Sequence, residues 1–279
     1  MLQVSRFHLS PVRSLLLVAM LISIFVLSPR GTSAQAAKAD RTPVLVELFT
    51  SEGCSSCPPA DALLAKLDQL QPVTTAQIIV LGEHVDYWDD LGWHDRFSSR
   101  QFTARQSQYS SRLSVDGVYT PQMIVDGTDQ FVGNDAAHAL RAIQHAAQTH
   151  TLQLALSHPV VAGNRISASV STTTAPTKLN GDLYAALVDP ADTTDVRRGE
   201  NGGRQLHHVG VVRVMQRIGN LKDLGESREF SLTAPADATP SNMRVVVFAQ
   251  SEDQGAILGV AASAGSGAET GASSAALTH

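Results

Sequence analysis

The spacing of hydrophobic and polar residues divides the chain into two halves of different character. In the first half, short apolar runs at 44–49 and 78–81 predict buried strands. Apolar residues that recur at helical spacing predict helices over 58–70 and 96–113. Strands that alternate with helices are typical of an α/β domain.

A predicted hairpin and a helix complete the first half. An apolar strand starts at Pro121 and ends in Asp126-Gly127, a residue pair that favours a tight hairpin turn. The returning strand is predicted over 130–132. A helix over 135–150 follows it, with Asn134 expected as its N-cap, and closes the α/β domain.

The second half has the pattern of strands. Its hydrophobic residues alternate with polar ones in short segments, which are separated by turns rich in Gly, Asn, Thr and Pro. We therefore predict an all-β, sandwich-like domain over 151–260, after an α/β domain over 42–150. The predicted strands are 152–156, 165–170, 183–188, 209–214, 228–232 and 243–249.

The two ends of the chain differ from both halves. Arg6 and Arg13 precede a short apolar run at 14–27 and a stretch of small residues, a pattern that predicts a signal peptide over 1–36. The run is shorter than the roughly 18 apolar residues of a membrane span. We expect export to a bacterial periplasm or the outside with no stable membrane span, and an uncleaved anchor is the alternative. Residues 261–279, mostly Ala, Gly and Ser, predict a disordered tail.

Composition narrows the classes of function. The net charge is −5 and basic clusters are absent, which argues against binding of nucleic acid. Hydrophobic residues make up 43% of the chain, enough for a sizeable core. With only two cysteines, the chain cannot rely on a framework of several disulfides.

The two cysteines, Cys54 and Cys57, stand between a predicted strand and a predicted helix that begins at Pro58-Pro59. A helix N-terminus carries partial positive charge and free N–H groups, which stabilise a thiolate. The two-residue spacing lets one sulfur resolve a mixed disulfide formed by the other. A structural disulfide and half of a zinc site share this spacing. A metal site would need further ligands from scattered histidines such as His84, so we expect no metal.

Polar and aromatic residues follow the second predicted strand. Because ligands gather at the carboxyl ends of strands in α/β sheets, we expect these residues to face the cysteines. Asp86, Tyr87 and Trp88 would line a substrate groove, and His84 would relay protons. A structural histidine and aromatic side chains that cover the core are the alternatives.

The second half contains one distinctive polar stretch, the loop 200–204 followed by His207 and His208. In one interpretation the loop contacts the redox face or a partner. In the other it is an ordinary turn held by Asn and Gly. Alternation along a strand would put the two histidines on opposite faces, which argues against a shared metal site.

Four segments of the sequence are distinctive as a set: VELFTSEGCSSCPPAD, HVDYWDDLGWHDRFSSRQFTARQ, GVYTPQMIVDG and RGENGGRQLHHVGVVR. Together they resemble a family of secreted, thioredoxin-like bacterial proteins, the domain-of-unknown-function family number 1223. The resemblance extends over almost all of residues 42–260. It implies a thioredoxin-like domain over 42–150 and names no substrate.

The resemblance to thioredoxins implies roles for individual residues. Cys54 would be the attacking thiol, Cys57 the resolving thiol and Pro121 a cis-proline beside them. Thr120 would pair with the backbone of a substrate. Glu47 would take the place of a buried acid that relays protons, and an ordinary strand carboxylate is the alternative.

These observations predict an exported thiol–disulfide oxidoreductase. Its substrate would be a protein or a small thiol or disulfide, and a redox partner would recycle the cysteines without a metal or organic cofactor. The alternative is a non-catalytic periplasmic binding or adaptor protein, built on a thioredoxin-like scaffold with a structural disulfide. A metal chaperone is a more distant third hypothesis.

Overall fold

The computed structural model describes residues 41–149, 152–173, 179–224 and 227–263. The predicted signal peptide and all but the first three residues of the predicted tail lie outside the described residues. The first two residues of that tail, 261 and 262, belong to the last strand.

Strands and helices alternate in the first half, in the predicted order. The first two strands extend further than the short apolar runs that predicted them, because flanking polar residues also pair in the sheet. The elements are β1 (Thr42–Thr50), α1 (Pro58–Leu70), β2 (Ala76–His84), α2 (Arg100–Arg112), β3 (Gln122–Val125), β4 (Asp129–Val132) and α3 (Ala136–Ala146).

Capping residues set two helix starts that differ from prediction. α2 begins at Arg100 and not at 96, because the Ser99 side chain caps it by accepting a hydrogen bond from the Gln101 N–H. The cap of α3 is Asp135 and not Asn134, since its carboxylate accepts from the His138 N–H at 2.9 Å.

The second half is made of strands, with two short 3-10 turns at Leu221–Asp223 and Pro240–Asn242. Two of its strands, β6 and β12, were not predicted. The strands are β5 (Leu154–Leu156), β6 (Val160–Ala162), β7 (Arg165–Thr172), β8 (Gly181–Asp195), β9 (Gln205–Asn220), β10 (Ser227–Thr233), β11 (Arg244–Ser251) and β12 (Ile257–Ala262).

Strands from both halves share one eight-stranded mixed sheet in the order β12-β11-β8-β9-β2-β1-β3-β4. β1 is parallel to β2 and antiparallel to β3. A second, four-stranded sheet consists of β10, β7 and β5, with β6 paired to β7. The described residues, from 41 to 263, cluster as one compact unit. The fold is therefore a mixed, mostly β sheet with few helices.

The two halves of the large sheet meet where β2 and β9 run parallel, in register at the pair Gly82 and Val211. Gly210 has a φ of +62°, and a Cβ there would lie only 2.7 Å from the Val80 carbonyl oxygen. Only glycine permits both this backbone conformation and this close approach. The contact brings β9, and the residues just before it, next to the carboxyl end of β2.

Alternate residues of β1 face the two sides of the large sheet. Val46 and Leu48 share a core with α1 and α3 on one side. Leu45 packs with Phe102 of α2 on the other side. Further along the sheet, a core between the two sheets joins residues of β8 and β11 to residues of β7 and β10. Within the described part of the chain, none of the helices has the length and apolar character needed to cross a bilayer.

Candidate functional site

Cys54 and Cys57 form a disulfide at the N-terminus of α1. Cys57 is the N-cap residue, and Pro58 and Pro59 occupy the first helical positions, where the missing N–H groups are not needed. Both cysteines have 0% exposed surface, whereas Ser55 between them is exposed. A redox-active pair and a stable structural disulfide are both compatible with this placement.

Thr120, Pro121 and Trp88 lie beside the disulfide. The Thr120–Pro121 peptide bond is cis, and the Thr120 carbonyl oxygen is 3.5 Å from Ser56 Oγ. Trp88 Nε1 donates to Thr120 Oγ1 at 2.9 Å. A Cβ built on Gly53 would lie 3.1 Å from Trp88 Cβ, so Trp88 packs closely against the turn that precedes Cys54. The structure thus brings together five of the predicted site residues, with Trp88 at the side of the other four: Cys54, Cys57, Thr120 and Pro121.

Asp86 and Tyr87 contact α2. The Asp86 carboxylate accepts a hydrogen bond from the Thr103 hydroxyl at 2.5 Å, and the Asp86 N–H donates to the oxygen of that hydroxyl. The Tyr87 hydroxyl donates to Gln106 Oε1 at 3.2 Å, and 36% of Tyr87 is exposed. Burial raises the pKa of the Tyr87 hydroxyl. Their contacts fix the loop after β2 onto α2, with Tyr87 left partly open to solvent.

Glu47 lies on the α2 side of the sheet, opposite the side that carries α1. Its two oxygens accept hydrogen bonds from Arg105 Nε and the Tyr109 hydroxyl, both at 2.7 Å. Glu83 is also buried there, 3.6 Å from Arg105. Burial, followed by the charge of Glu47, raises the pKa of Glu83 well above its usual value despite Arg105. These contacts favour a structural part for Glu47, as the arginine and the tyrosine hold both of its oxygens.

His84 is buried at the end of β2 and contacts Asp95, with 2.7 Å between Nδ1 and Oδ2. The same Asp95 oxygen accepts from the Glu52 N–H at 2.8 Å. Burial alone would raise the pKa of Asp95, but His84 and the backbone N–H groups of Glu52 and Phe97 outweigh it and bring the pKa below its usual value. His84 and Asp95 therefore anchor the turn that leads into Cys54.

A second buried histidine, His208 of β9, stacks edge-on against His84 with ring centroids 4.8 Å apart. Its Nε2 is 3.6 Å from Glu52 Oε1, and its Nδ1 is 3.9 Å from Asp61 Oδ1. Both distances are those of ion pairs and exceed hydrogen-bond length. Burial alone would lower the pKa of His208, but Asp61 and Glu52 outweigh it and raise the pKa to about 10. His207 is exposed, so the two histidines do face opposite sides.

Sequence reasoning gave no site role to Glu52, Asp61 or His208. Glu52 accepts from Trp93 Nε1 at 2.7 Å, and Asp61 accepts from the Thr50 hydroxyl at 3.0 Å. The positions of Glu52 in the turn before Cys54 and of Asp61 one helical turn after Cys57 could have drawn attention to them. Nothing in the local pattern indicates that His208 reaches them.

The loop between β8 and β9, residues 196–204, contacts the segment that carries the cysteines. Asn201 Nδ2 donates to the carbonyl oxygens of Glu52 and Cys54, both at 2.9 Å. Glu200 Oε2 accepts from the Ser55 N–H at 3.0 Å. The loop therefore contacts the segment that carries the cysteines, as one of the two interpretations of the sequence required. The loop is also a turn shaped by glycines, as the other interpretation held.

Within the described part of the chain, no three His, Cys, Asp or Glu side chains form a group that could hold a metal ion. The site chemistry visible here is therefore that of two sulfurs, a helix N-terminus and buried carboxyl–histidine pairs.

The model of a family described as "Protein of unknown function (DUF1223)" matches residues 45–250. The chain belongs to this family. The matched region contains the disulfide, the cis-proline and the β8–β9 loop. No curated protein matches the chain in sequence.

Two solved structures resemble this family member over most of its length. Protein AGR_C_4864 from Agrobacterium tumefaciens is 29% identical, with a TM-score of 0.60 over 80% of this chain and 94% of that one. HBP35 of Porphyromonas gingivalis is 14% identical, with a TM-score of 0.55 over 86% of this chain and 80% of that one. At that identity, the second likeness concerns the fold alone.

Proposed function

We propose that this protein is an exported thiol–disulfide oxidoreductase. The observation that carries the proposal is the position of its only two cysteines, joined as a disulfide at the N-terminus of α1. The positive end of a helix stabilises a thiolate, which is both the attacking group and the leaving group of disulfide exchange. Export is supported by the signal-peptide pattern of residues 1–36.

A thioredoxin-like arrangement of residues 42–150 is part of this proposal. It is supported by the order of strands and helices from β1 to α3 and by the position of Thr120-Pro121 beside Cys54 and Cys57. In this interpretation residues 151–260 are an added β region, whose strands extend the large sheet and whose β8–β9 loop reaches the redox pair.

The reaction transfers two electrons and proceeds through one mixed disulfide. When the pair is oxidised, a substrate thiolate attacks Cys54, the Cys54–Cys57 bond breaks and Cys57 leaves as a thiolate. A second substrate thiolate then attacks the substrate sulfur, and Cys54 leaves, so the substrate is oxidised and the pair is reduced. In the opposite direction the Cys54 thiolate attacks a substrate disulfide and Cys57 resolves the intermediate. A redox partner returns the pair to its starting state.

One observation favours the alternative of a non-catalytic binding or adaptor protein. Both cysteines are completely buried, whereas disulfide exchange requires access to a sulfur. In that alternative the disulfide fastens α1 to the turn before it, and the β region provides the binding surface.

The reduction potential of the Cys54–Cys57 pair tests the proposal. We expect a value between roughly −270 and −120 mV, the range of working oxidoreductases, measured by thiol trapping in defined redox buffers. We also expect the Cys57→Ala variant to trap a mixed disulfide through Cys54. The matched Cys54→Ala variant should trap none, since the resolving thiol does not attack.

A potential below about −300 mV, together with no trapped species, would contradict the oxidoreductase and favour the adaptor, because such values are typical of structural disulfides.

A further inference from the structure

The β8–β9 loop holds its own shape. The N–H of Gly203 donates to the Val196 carbonyl at 2.8 Å, and the N–H of Val196 donates to the Arg204 carbonyl at 2.9 Å. Gly199 has a φ of +74°, and a Cβ there would lie 3.1 Å from Trp93 Cβ. The loop therefore contacts the segment that carries the cysteines as a preformed unit, so it loses little conformational freedom when it binds there.

Asn201 makes the deepest contact of this loop. The residue has no exposed surface, and its amide nitrogen donates to two carbonyl oxygens, those of Glu52 and Cys54. Its Oδ1 accepts from Arg204 Nη1 at 3.0 Å. Truncation of this side chain would remove the hydrogen bond to the buried Glu52 carbonyl, whereas the Cys54 carbonyl would keep the one that it accepts from the Cys57 N–H. Loss of the partner of a buried carbonyl costs more than the net value of the hydrogen bond itself.

Glu200 contacts the backbone directly beside Cys54. It accepts from the N–H of Ser55, the residue that directly follows Cys54. Free N–H groups at this position would otherwise stabilise a Cys54 thiolate. A carboxylate that occupies this N–H and adds negative charge beside Cys54 makes formation of the thiolate less favourable.

We propose that the β8–β9 loop is a latch: seated as observed, it keeps the Cys54–Cys57 pair closed to thiols in solution, and it must swing away before a substrate can react. Glu200 and Asn201 are its positioning residues. The substrate side of this idea rests on the proposed function. The closure itself concerns only access to Cys54, which has no exposed surface.

The rate at which dithiothreitol reduces the disulfide of the full-length protein tests the latch. If reduction proceeds through an open state, loss of latch contacts raises the population of that state. We expect Asn201→Ala to react at least about tenfold faster than the wild type, a factor equivalent to about 1.4 kcal/mol and in the range of one or two lost hydrogen bonds. Glu200→Ala should react several-fold faster.

Two control variants show whether loss of an Asn or Glu side chain away from the latch changes the rate of reduction. Asn242→Ala and Glu252→Ala remove the same side chains from exposed turns elsewhere, and both should react at the wild-type rate. Glu200→Ala alters only an exposed residue, so it keeps the test valid if Asn201→Ala fails to fold. Equal rates for the wild type and both latch variants would overturn the proposal.

A second readout detects the charge of Glu200. The reduced protein is alkylated with iodoacetamide across a range of pH. We expect the alkylation rate of Cys54 in Glu200→Gln to reach its midpoint at lower pH than in the wild type, as the negative charge is gone. An unchanged midpoint would reject the proposed effect of the Glu200 charge on the Cys54 thiol.

The outcomes for the latch and for the proposed function can be told apart. Faster reduction of the variants without any trapped mixed disulfide would keep the latch and reject the oxidoreductase. A trapped mixed disulfide, together with equal reduction rates for the wild type and the latch variants, would reject the latch and keep the oxidoreductase.

Discussion

Buried charged residues form groups on both faces of the large sheet. On the α2 side, Arg105 forms ion pairs with two carboxyl groups, those of Glu47 and Glu83. Burial and the charge of Glu47 raise the pKa of Glu83. Near the cysteines, His208 lies between the carboxylates of Glu52 and Asp61. Removal of ions from water is costly, so each group depends on its partners. The stability of the folded state therefore depends on the protonation of these buried groups.

His208 gives a pH dependence with a definite sign. Its pKa of about 10 in the fold exceeds the value of about 6.5 in an unfolded chain, so folding is accompanied by proton uptake between these values. The contribution of His208 to stability is therefore complete below pH 6.5 and is lost as the pH rises towards 10. We expect the free energy of unfolding to fall by a few kcal/mol over this window, measured with denaturant.

Two variants show whether this slope belongs to His208. In His208→Gln the fall between pH 6.5 and 10 should be greatly reduced. In His207→Gln, which changes the exposed neighbour on the opposite face, the fall should persist. Burial and the charge of Glu47 also raise the pKa of Glu83, which adds its own pH dependence, so the difference between the two variants is the measured quantity. A slope that is the same in both would reject the assignment.

At the scale of elements, the contact between β2 and β9 decides how the sheet is assembled. It is a short parallel pairing in which Gly210 approaches the backbone of Val80. β9 is also the longest strand and carries His208, and the loop before it carries Asn201. A shift of this one contact would therefore move two groups of the candidate site together.

Gly210→Ala tests the importance of this contact, with Gly163→Ala as its matched control. Both glycines have a φ of +62°, but a Cβ on Gly163 meets nothing within 4 Å, whereas one on Gly210 would collide with Val80. We expect Gly163→Ala to lower the free energy of unfolding by about 1–2 kcal/mol through backbone strain alone. Gly210→Ala should lower it by a further 1–3 kcal/mol or so through overpacking.

Denaturant unfolding of both variants measures this difference. Equal losses of stability would mean that β2 and β9 separate easily to make room for the methyl group.

At the scale of the whole molecule, the eight-stranded sheet joins residues that the sequence pattern assigns to two domains. Strands of the first half share this sheet with four strands of the second half, and the described residues from 41 to 263 cluster as one unit. The β8–β9 loop adds polar contacts across the same boundary. Such an arrangement favours unfolding in a single step.

Two probes of unfolding distinguish one cooperative unit from two. Both tryptophans, Trp88 and Trp93, belong to the first half, so their fluorescence follows that half. Far-ultraviolet circular dichroism follows the strands of the whole chain. We expect the two denaturant transitions to coincide. Separate midpoints would instead support independent domains at 42–150 and 151–260.

The local features of this fold could be predicted from the sequence because their causes are local. Hydrophobic spacing gave the strands and helices around the cysteines, and Asp126-Gly127 gave the hairpin. β6 and β12 were missed because short, partly exposed strands have no clear alternation. The start of α2 was misplaced because hydrophobic spacing does not mark the first turn, which the Ser99 cap sets.

The sequence by itself determined that two cysteines stand at the start of a helix, beside a proline-initiated hairpin, in a member of the matched family. Only the tertiary structure decided what surrounds them. Asn201 hydrogen-bonds to Cys54 across 147 positions of the chain, and His208 reaches Asp61 through the pairing of β9 with β2. Such contacts depend on which strand edges meet after the local elements have formed. No local pattern of residues encodes that choice, so the burial of the disulfide became visible only in the folded chain.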